Sequence, residues 1–146
     1  SGYQAAVLAQ MTNHVYSIEI KKNLFNATNA IYEQHEEKYP SFRNVVRKHG
    51  DGYYGWEEYA PFDRIIVTCG IDHIPPALLK QLTPDGIMVI PVGPMAGQQV
   101  LLKITKKVDA NGNVLLERED VYKGKLRVKF VPFTAADGSW HSKENN

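Results

Sequence analysis

The sequence predicts an α/β fold in which a doubly wound, mostly parallel sheet carries an antiparallel addition at its C-terminal edge. Strand-like and helical runs alternate: Val15-Tyr16-Ser17-Ile18-Glu19-Ile20 is followed by Leu24, Ala27 and Ile31 at helical spacing. The continuous apolar runs Ile65-Ile66-Val67 and "IMVI" suit strands buried on both faces of a parallel sheet. The antiparallel addition follows from Asn111-Gly112, a strong hairpin signal between the two β runs of "VLLKITKKVDANGNVLLERED".

The opening "SGYQAAVLAQM" reads as the end of a tight glycine loop, Ser1-Gly2, feeding into a helix of small and apolar residues. In α/β proteins such a loop lies between a buried strand and a helix N-terminus, where free N–H groups hold a ligand. No strand precedes it here, so the run is either an ordinary helix start or the second half of a binding loop. The strand ending at Glu19 leads into an amphipathic helix that reaches about His35. After the break at Pro40, Phe42, Val45 and Val46 predict another strand, closed by Gly50-Asp51-Gly52. "FDRIIVTCG" is the next strand. In "HIPPALLKQLTPDG" Pro75 and Pro76 suit a first helical turn, Ile74, Leu78 and Leu82 recur four apart, and Pro84 and Gly86 stop the helix. "IMVIPVG" is a further buried strand, the hairpin follows, and "KLRVKFVPF" predicts a last one from its alternation of Leu126, Val128 and Phe130 with Arg127 and Lys129. The polar tail, "SWHSKENN" and above all 141–146, is expected to fray. With no repeat or linker composition, residues 1–146 read as one domain.

Composition narrows the function. The chain has 146 residues, 43% of them hydrophobic, enough for a real core. Lys plus Arg number 17 against 16 Asp plus Glu, so no overall field attracts nucleic acid or an anionic membrane surface. Eight basic and four acidic residues between Lys103 and Lys129 alternate along strands, as on a solvated sheet face. Cys69 is the only cysteine, which leaves no internal disulfide and points to a reducing, cytoplasmic setting. No apolar run is long enough to cross a bilayer, and no charged-then-apolar leader opens the chain.

In doubly wound sheets ligands bind beyond the carboxyl ends of the strands. The residues there are Ser1-Gly2, Glu19, Gly50-Asp51-Gly52 and Thr68-Cys69-Gly70. An acid after the strand that follows a glycine loop can accept hydrogen bonds from both hydroxyls of a ribose. Asp51, between two glycines, suits an exocyclic amine beside a flat ring. Singly, Glu19 also reads as a solvated strand-end acid and Gly50-Asp51-Gly52 as a turn; their order favours the ligand reading. No GxGxxG or GxxxxGK[ST] phosphate cradle is present. His14, His35, His49, His73 and His141 form no HExxH pattern, so a metal is not expected. Cys69 reads as a packed small residue, and His73 either caps the Pro75-Pro76 helix or points at a substrate, with capping the simpler role.

The segments "SGYQAAVLA", "VYSIEI", "GDGYYGW", "APFDRIIVTCGIDHIPPALLKQL", "GIMVIPVGP" and "VKFVPFT" stand in the order found in protein-L-isoaspartate O-methyltransferases, which the chain resembles from Ser1 to about Trp140. The glycine loop and acid occur in many methyltransferases; "HIPPALL", "MVIPVGP" and "FVPFT" together are far more specific. The resemblance implies a Rossmann-like methyltransferase sheet, S-adenosylmethionine as cofactor with S-adenosylhomocysteine as product, no metal, and isoaspartyl-containing proteins as substrates in a protein-repair reaction. It implies cofactor contacts at Ser1 and Gly2 in the first loop, Glu19 at the ribose, Asp51 and Gly52 at the adenine, and Thr134 in "FVPFT". It further suggests His73, Val131 and Pro132 on the substrate side.

Two departures bear on activity. Family members carry, ahead of the point matching Ser1, N-terminal helices, a serine-containing substrate motif, the first strand and the first glycines of the cofactor loop. No catalytic residue is therefore assigned here, and these residues alone are expected to bind cofactor weakly. Gly138-Ser139 stands where some relatives place a cofactor-side glutamine. The competing readings are a non-catalytic module that binds S-adenosylmethionine or a protein partner, and a methyltransferase of the same fold with another acceptor.

Overall fold

The computed structural model describes residues 2–95 and 97–143. The chain packs as two compact units, Ser1–Gly52 and Tyr53–Asn146, each with its own sheet and its own core.

The N-terminal unit contains α1 (Tyr3–Leu8), β1 (Val15–Glu19), α2 (Lys22–His35) and β2 (Val45–His49). The two strands pair in parallel, from Val15 opposite Val45 to Glu19 opposite His49. Ala5 and Ala9 of the first helical stretch are buried with Val15, Tyr32 and Val45. Phe42 packs on this core from a 3-10 turn, Pro40–Asn44, and not from the strand as its β propensity suggests.

The sequence pattern assigns the wrong face of α2 to the core. Leu24 and Ile31, two of the residues at helical spacing, are 44% and 48% exposed, whereas Tyr32 is 2% exposed. A tyrosine fills a large volume and needs a partner for its hydroxyl, and here every side of it is used. Its hydroxyl donates to the Gly2 carbonyl at 2.7 Å, and its ring stacks on Phe42 with centroids 4.4 Å apart. The Arg47 guanidinium lies 4.7 Å over the same ring while Arg47 Nε donates to Asn29 Oδ1 at 2.6 Å. Burial raises the Tyr32 hydroxyl above its ordinary pKa, against the opposing pull of Arg47.

The C-terminal unit contains β3 (Phe62–Ile66), α3 (Pro76–Lys80), β4 (Leu82–Val92), β5 (Val100–Val108) and β6 (Val114–Asp120), with the strands in the order β3-β4-β5-β6. β3 and β4 are parallel; β4–β5 and β5–β6 are antiparallel, as the hairpin signal requires. Ile71, Met88, Ile90 and Ile104 are fully buried, with Leu78, Leu82 and Phe133 around them. β3 departs from the expected two-faced burial: Val67 just beyond it is buried, but Ile66 is 43% exposed. Ile65 and Val67 point to the core side, while Ile66 on the opposite face meets no core among the described residues.

Three further boundaries move. α3 starts at the prolines as expected but ends at Lys80, with β4 beginning at Leu82, and Lys106 on β5 reaches across to the carbonyls at this junction. Lys106 Nζ donates to Leu79 O, Lys80 O and Leu82 O at 3.0, 3.4 and 2.7 Å. Leu82 then pairs with Phe62, and the register slips before Arg64 meets Ile87, with Asp85 in the left-handed region at φ 59°. The hairpin loop spans 109–113: Asp109 Oδ1 accepts the N–H groups of Asn111 and Asn113, both at 2.8 Å. "KLRVKFVPF" forms single bridges instead of a strand, Val128 with Gln99 and Pro132 with Gly70, because Pro132 has no N–H and the segment changes partner between them. The tail is anchored as far as it is described: Thr134 bridges Trp140, and His141 is 5% exposed.

Gly2 precedes α1 at φ 69°, and a Cβ there would lie 2.5 Å from Thr28 Cγ2. Gly112 is also left-handed, at φ 83°, with nothing within 4 Å of a Cβ. Gly112→Ala should cost about 1 kcal/mol and Gly2→Ala about 2–4 kcal/mol, because only the second adds a steric clash to the backbone strain. Urea denaturation of the two variants checks the order.

Candidate functional site

In the N-terminal unit the parallel pairing brings Glu19 and Asp51 to one edge. Glu19 is the last residue of β1 and Asp51 lies two residues beyond the end of β2, with the Gly50 N–H donating to the Glu19 carbonyl at 3.1 Å. Glu19 Oε1 accepts the Lys21 N–H at 2.9 Å, which holds the carboxylate at the strand end. His49 is oriented by a 3.1 Å contact between Nε2 and the Ile20 carbonyl and by the Phe25 ring. Gly2 is fixed at the start of α1 by the Tyr32 hydroxyl, and Ser1 lies outside the described residues. Carboxylates on neighbouring strand ends flanked by Gly50 and Gly52 suit a ligand with vicinal hydroxyls and a flat, amine-bearing ring.

In the C-terminal unit the residues suggested for the substrate side also come together. Gly70 pairs with the returning segment: its N–H donates to Val131 O at 2.8 Å, and its carbonyl accepts the Phe133 N–H at 2.9 Å. This presents Val131, 71% exposed, and Pro132 outward beyond the end of β3. Thr134 follows, half-buried and bridged to Trp140. Ser139 is tied into a turn, its hydroxyl donating to Asp137 Oδ1 at 2.6 Å.

His73 makes no cap for α3. It is the middle of a hydrogen-bonded chain that sequence spacing does not reveal, with Nδ1 2.6 Å from Asp72 Oδ1 and Nε2 2.8 Å from Tyr53 Oη. The carboxylate can only accept, so in the neutral ring Nδ1 carries the proton and the tyrosine hydroxyl donates to Nε2. Both ring nitrogens are thereby used inside the fold. Tyr53 stacks on His141 with centroids 4.0 Å apart and meets Phe133 edge-on, so the chain rests against the segment that carries Val131 and Pro132. Neither Tyr53 nor Asp72 stands out in the sequence, because their pairing depends on the bend after Gly70. Among the described residues no three His, Cys, Asp or Glu side chains converge as a metal site.

The family profile described as protein-L-isoaspartate(D-aspartate) O-methyltransferase matches residues 1–138. The chain belongs to that family. Among methyltransferases of this name, the one from Opitutus terrae is 43% identical over 134 residues, covering 92% of this chain and 52% of the relative. The one from Vibrio parahaemolyticus is 45% identical over 138 residues, covering 94% and 58%. The chain thus spans about half the length of the curated relatives it matches. A crystal structure of a putative protein-L-isoaspartate O-methyltransferase from Plasmodium falciparum, in complex with S-adenosyl-L-homocysteine, superposes with a TM-score of 0.60 at 26% identity. That superposition covers 83% of this chain and 52% of the parasite protein.

Partial burial pushes the Asp72 carboxyl up, but hydrogen bonds from His73 and from the Lys143 backbone N–H outweigh it and hold the group below its ordinary 3.8. A depressed folded value means stabilisation that is complete above the ordinary carboxylate value and is lost as pH falls through the folded one. Asp72→Asn should therefore lower the melting temperature at pH 7 by about 2–4 °C. The gap between variant and parent should close below about pH 4 in thermal melts across pH.

Proposed function

We propose that this chain is the cofactor-binding part of an S-adenosylmethionine-dependent methyltransferase that esterifies the α-carboxylate of L-isoaspartyl residues in damaged proteins, the first step of their repair. The observation that carries the reading is the pair of acids, Glu19 and Asp51, at adjacent carboxyl ends of parallel strands in a chain of this family. The donor set fits the cofactor: Glu19 accepts from the ribose hydroxyls, while Asp51 accepts from the adenine amine with Gly52 against the ring. Ser1 and Gly2 are taken as cofactor-loop contacts on the "SGYQ" motif. Thr134 is taken as a cofactor contact on the "FVPFT" motif. S-adenosylmethionine, when bound, supplies a methyl group on a positively charged sulfur.

The acceptor needs little activation, since a free α-carboxylate has a pKa near 3.5 and is ionised at neutral pH. The protein's work is to orient the carboxylate and exclude water, a task that requires no acid/base pair. Val131 and Pro132, exposed beside Gly70, serve as the acceptor's contact surface. His73 supports them through Tyr53 and not by a ring nitrogen of its own. The near-neutral net charge of +1 supports a protein acceptor over a nucleic acid, and the single Cys69 supports a cytoplasmic setting. Among the described residues no helix is long and apolar enough to cross a membrane.

Transfer of a labelled methyl group to an isoaspartyl peptide and to its aspartyl counterpart tests the reading, with this chain alone and with a version extended at its N-terminus to the length of its relatives. Transfer to the isoaspartyl peptide alone is the expected result. Cofactor binding by a folded extended protein with no transfer to either peptide would leave a binding module or a different acceptor. In the extended protein Glu19→Gln should weaken S-adenosylhomocysteine binding by about 10–100-fold in calorimetry, the range for losing charge-assisted hydrogen bonds.

A further inference from the structure

Gln99 is a polar side chain placed where a hydrocarbon would be expected, 1% exposed at the start of β5. Buried amides are costly unless satisfied, and this one is satisfied entirely by backbone. Its Nε2 donates to Pro94 O and to Gly97 O, both at 3.1 Å, and its Oε1 accepts the Phe130 N–H at 2.9 Å. Its main chain pairs with Val128 in both directions, at 2.7 and 2.9 Å. The side chain also lies against Gly70, where a Cβ would come within 3.0 Å of Gln99 Cδ.

One residue thus joins the loop after β4, the start of β5, the turn after β3 and the segment 128–130. That segment runs straight into Val131 and Pro132, whose backbone is caught on its far side by Gly70. Val131 is too exposed for its own packing to fix its direction, so the backbone bonds on either side of it set where it points.

We propose that Gln99 is a positioning residue for the acceptor, a buried bracket that holds the Val131-Pro132 segment in the geometry the isoaspartyl peptide meets. This rests on the reading above that the segment contacts the acceptor. Losing the amide frees the Phe130 N–H and two carbonyls and lets the segment shift, and shifts of about 1 Å in positioning elements cost up to about 100-fold. The defect should fall on the peptide, because the hydrogen bonds of Gln99 run to Pro94, Gly97, Val128 and Phe130, none of them a residue assigned to the cofactor.

The test is steady-state methyl transfer by the full protein carrying this sequence, comparing the parent with Gln99→Met, Gly70→Ala and Val131→Ala. Methionine keeps the volume without the hydrogen bonds, while alanine at Gly70 pushes on the bracket and leaves the amide in place. Gln99→Met is expected to raise KM for the isoaspartyl peptide about tenfold or more, with kcat and KM for S-adenosylmethionine within about twofold. Gly70→Ala should raise the peptide KM less, and it carries the test if Gln99→Met fails to fold. If Val131→Ala raises the peptide KM but neither bracket variant does, the positioning role is overturned while the acceptor reading stands. If Val131→Ala leaves the peptide KM unchanged, the acceptor reading falls and the proposal with it. A parallel loss in kcat and in both KM values, tracking the melting temperature, would reduce Gln99 to a purely structural residue and overturn the proposal.

Discussion

Gly70 gives its N–H to Val131 and receives the N–H of Phe133, and the C-terminal unit is organised around that pair of bonds. Because Pro132 sits between the two partners, the returning segment cannot extend into a regular strand. It makes one sheet-like contact and then turns its following residues into the core. Phe133 is delivered to the cluster of Ile71, Leu78 and Met88, and His141 is brought back onto Tyr53. A side chain at residue 70 would meet the Gln99 amide, so close approach of backbone to a buried amide is the condition for the junction to exist. The outward presentation of Val131 and the inward burial of Phe133 are the two faces of one extended segment.

Much of the architecture was legible in local pattern. Alternating strand and helix runs gave the parallel pairs β1–β2 and β3–β4, Asn111-Gly112 gave the β5–β6 hairpin, and Pro75-Pro76 marked the start of α3. The failures share a cause. Leu24 and Ile31 carry the helical period, yet Tyr32 is buried because three groups from outside α2, the Gly2 carbonyl, the Phe42 ring and the Arg47 guanidinium, satisfy its ring and hydroxyl. The last carbonyls of α3 are taken by Lys106, more than twenty residues away in sequence. Hydrophobic period measures what a segment would like to hide; it carries no record of which polar groups arrive from elsewhere to change the balance.

The same division applies to the candidate site. The placement of Glu19 and Asp51 at one edge was readable because strand ends of a parallel pair collect there by geometry alone. The Asp72–His73–Tyr53 chain was not, since it depends on a bend and on a tyrosine twenty positions upstream. Both ring nitrogens of His73 are engaged within that chain, which suits the proposed reaction, whose nucleophile is already ionised and whose demands are geometric.

β6 closes the sheet order, and its outer edge carries a row of backbone groups that a second chain could in principle extend. Its sequence runs Glu117-Arg118-Glu119 through the middle of that edge. Were two copies to add edge to edge about a twofold axis through Arg118, Glu117 would face Glu119 of the other copy and the two arginines would face each other. Every directly opposed pair at the centre would be of like charge, which disfavours the contact on both faces of the ribbon. The charges in the middle of β6 therefore work against this twofold pairing of the edge with a copy of itself.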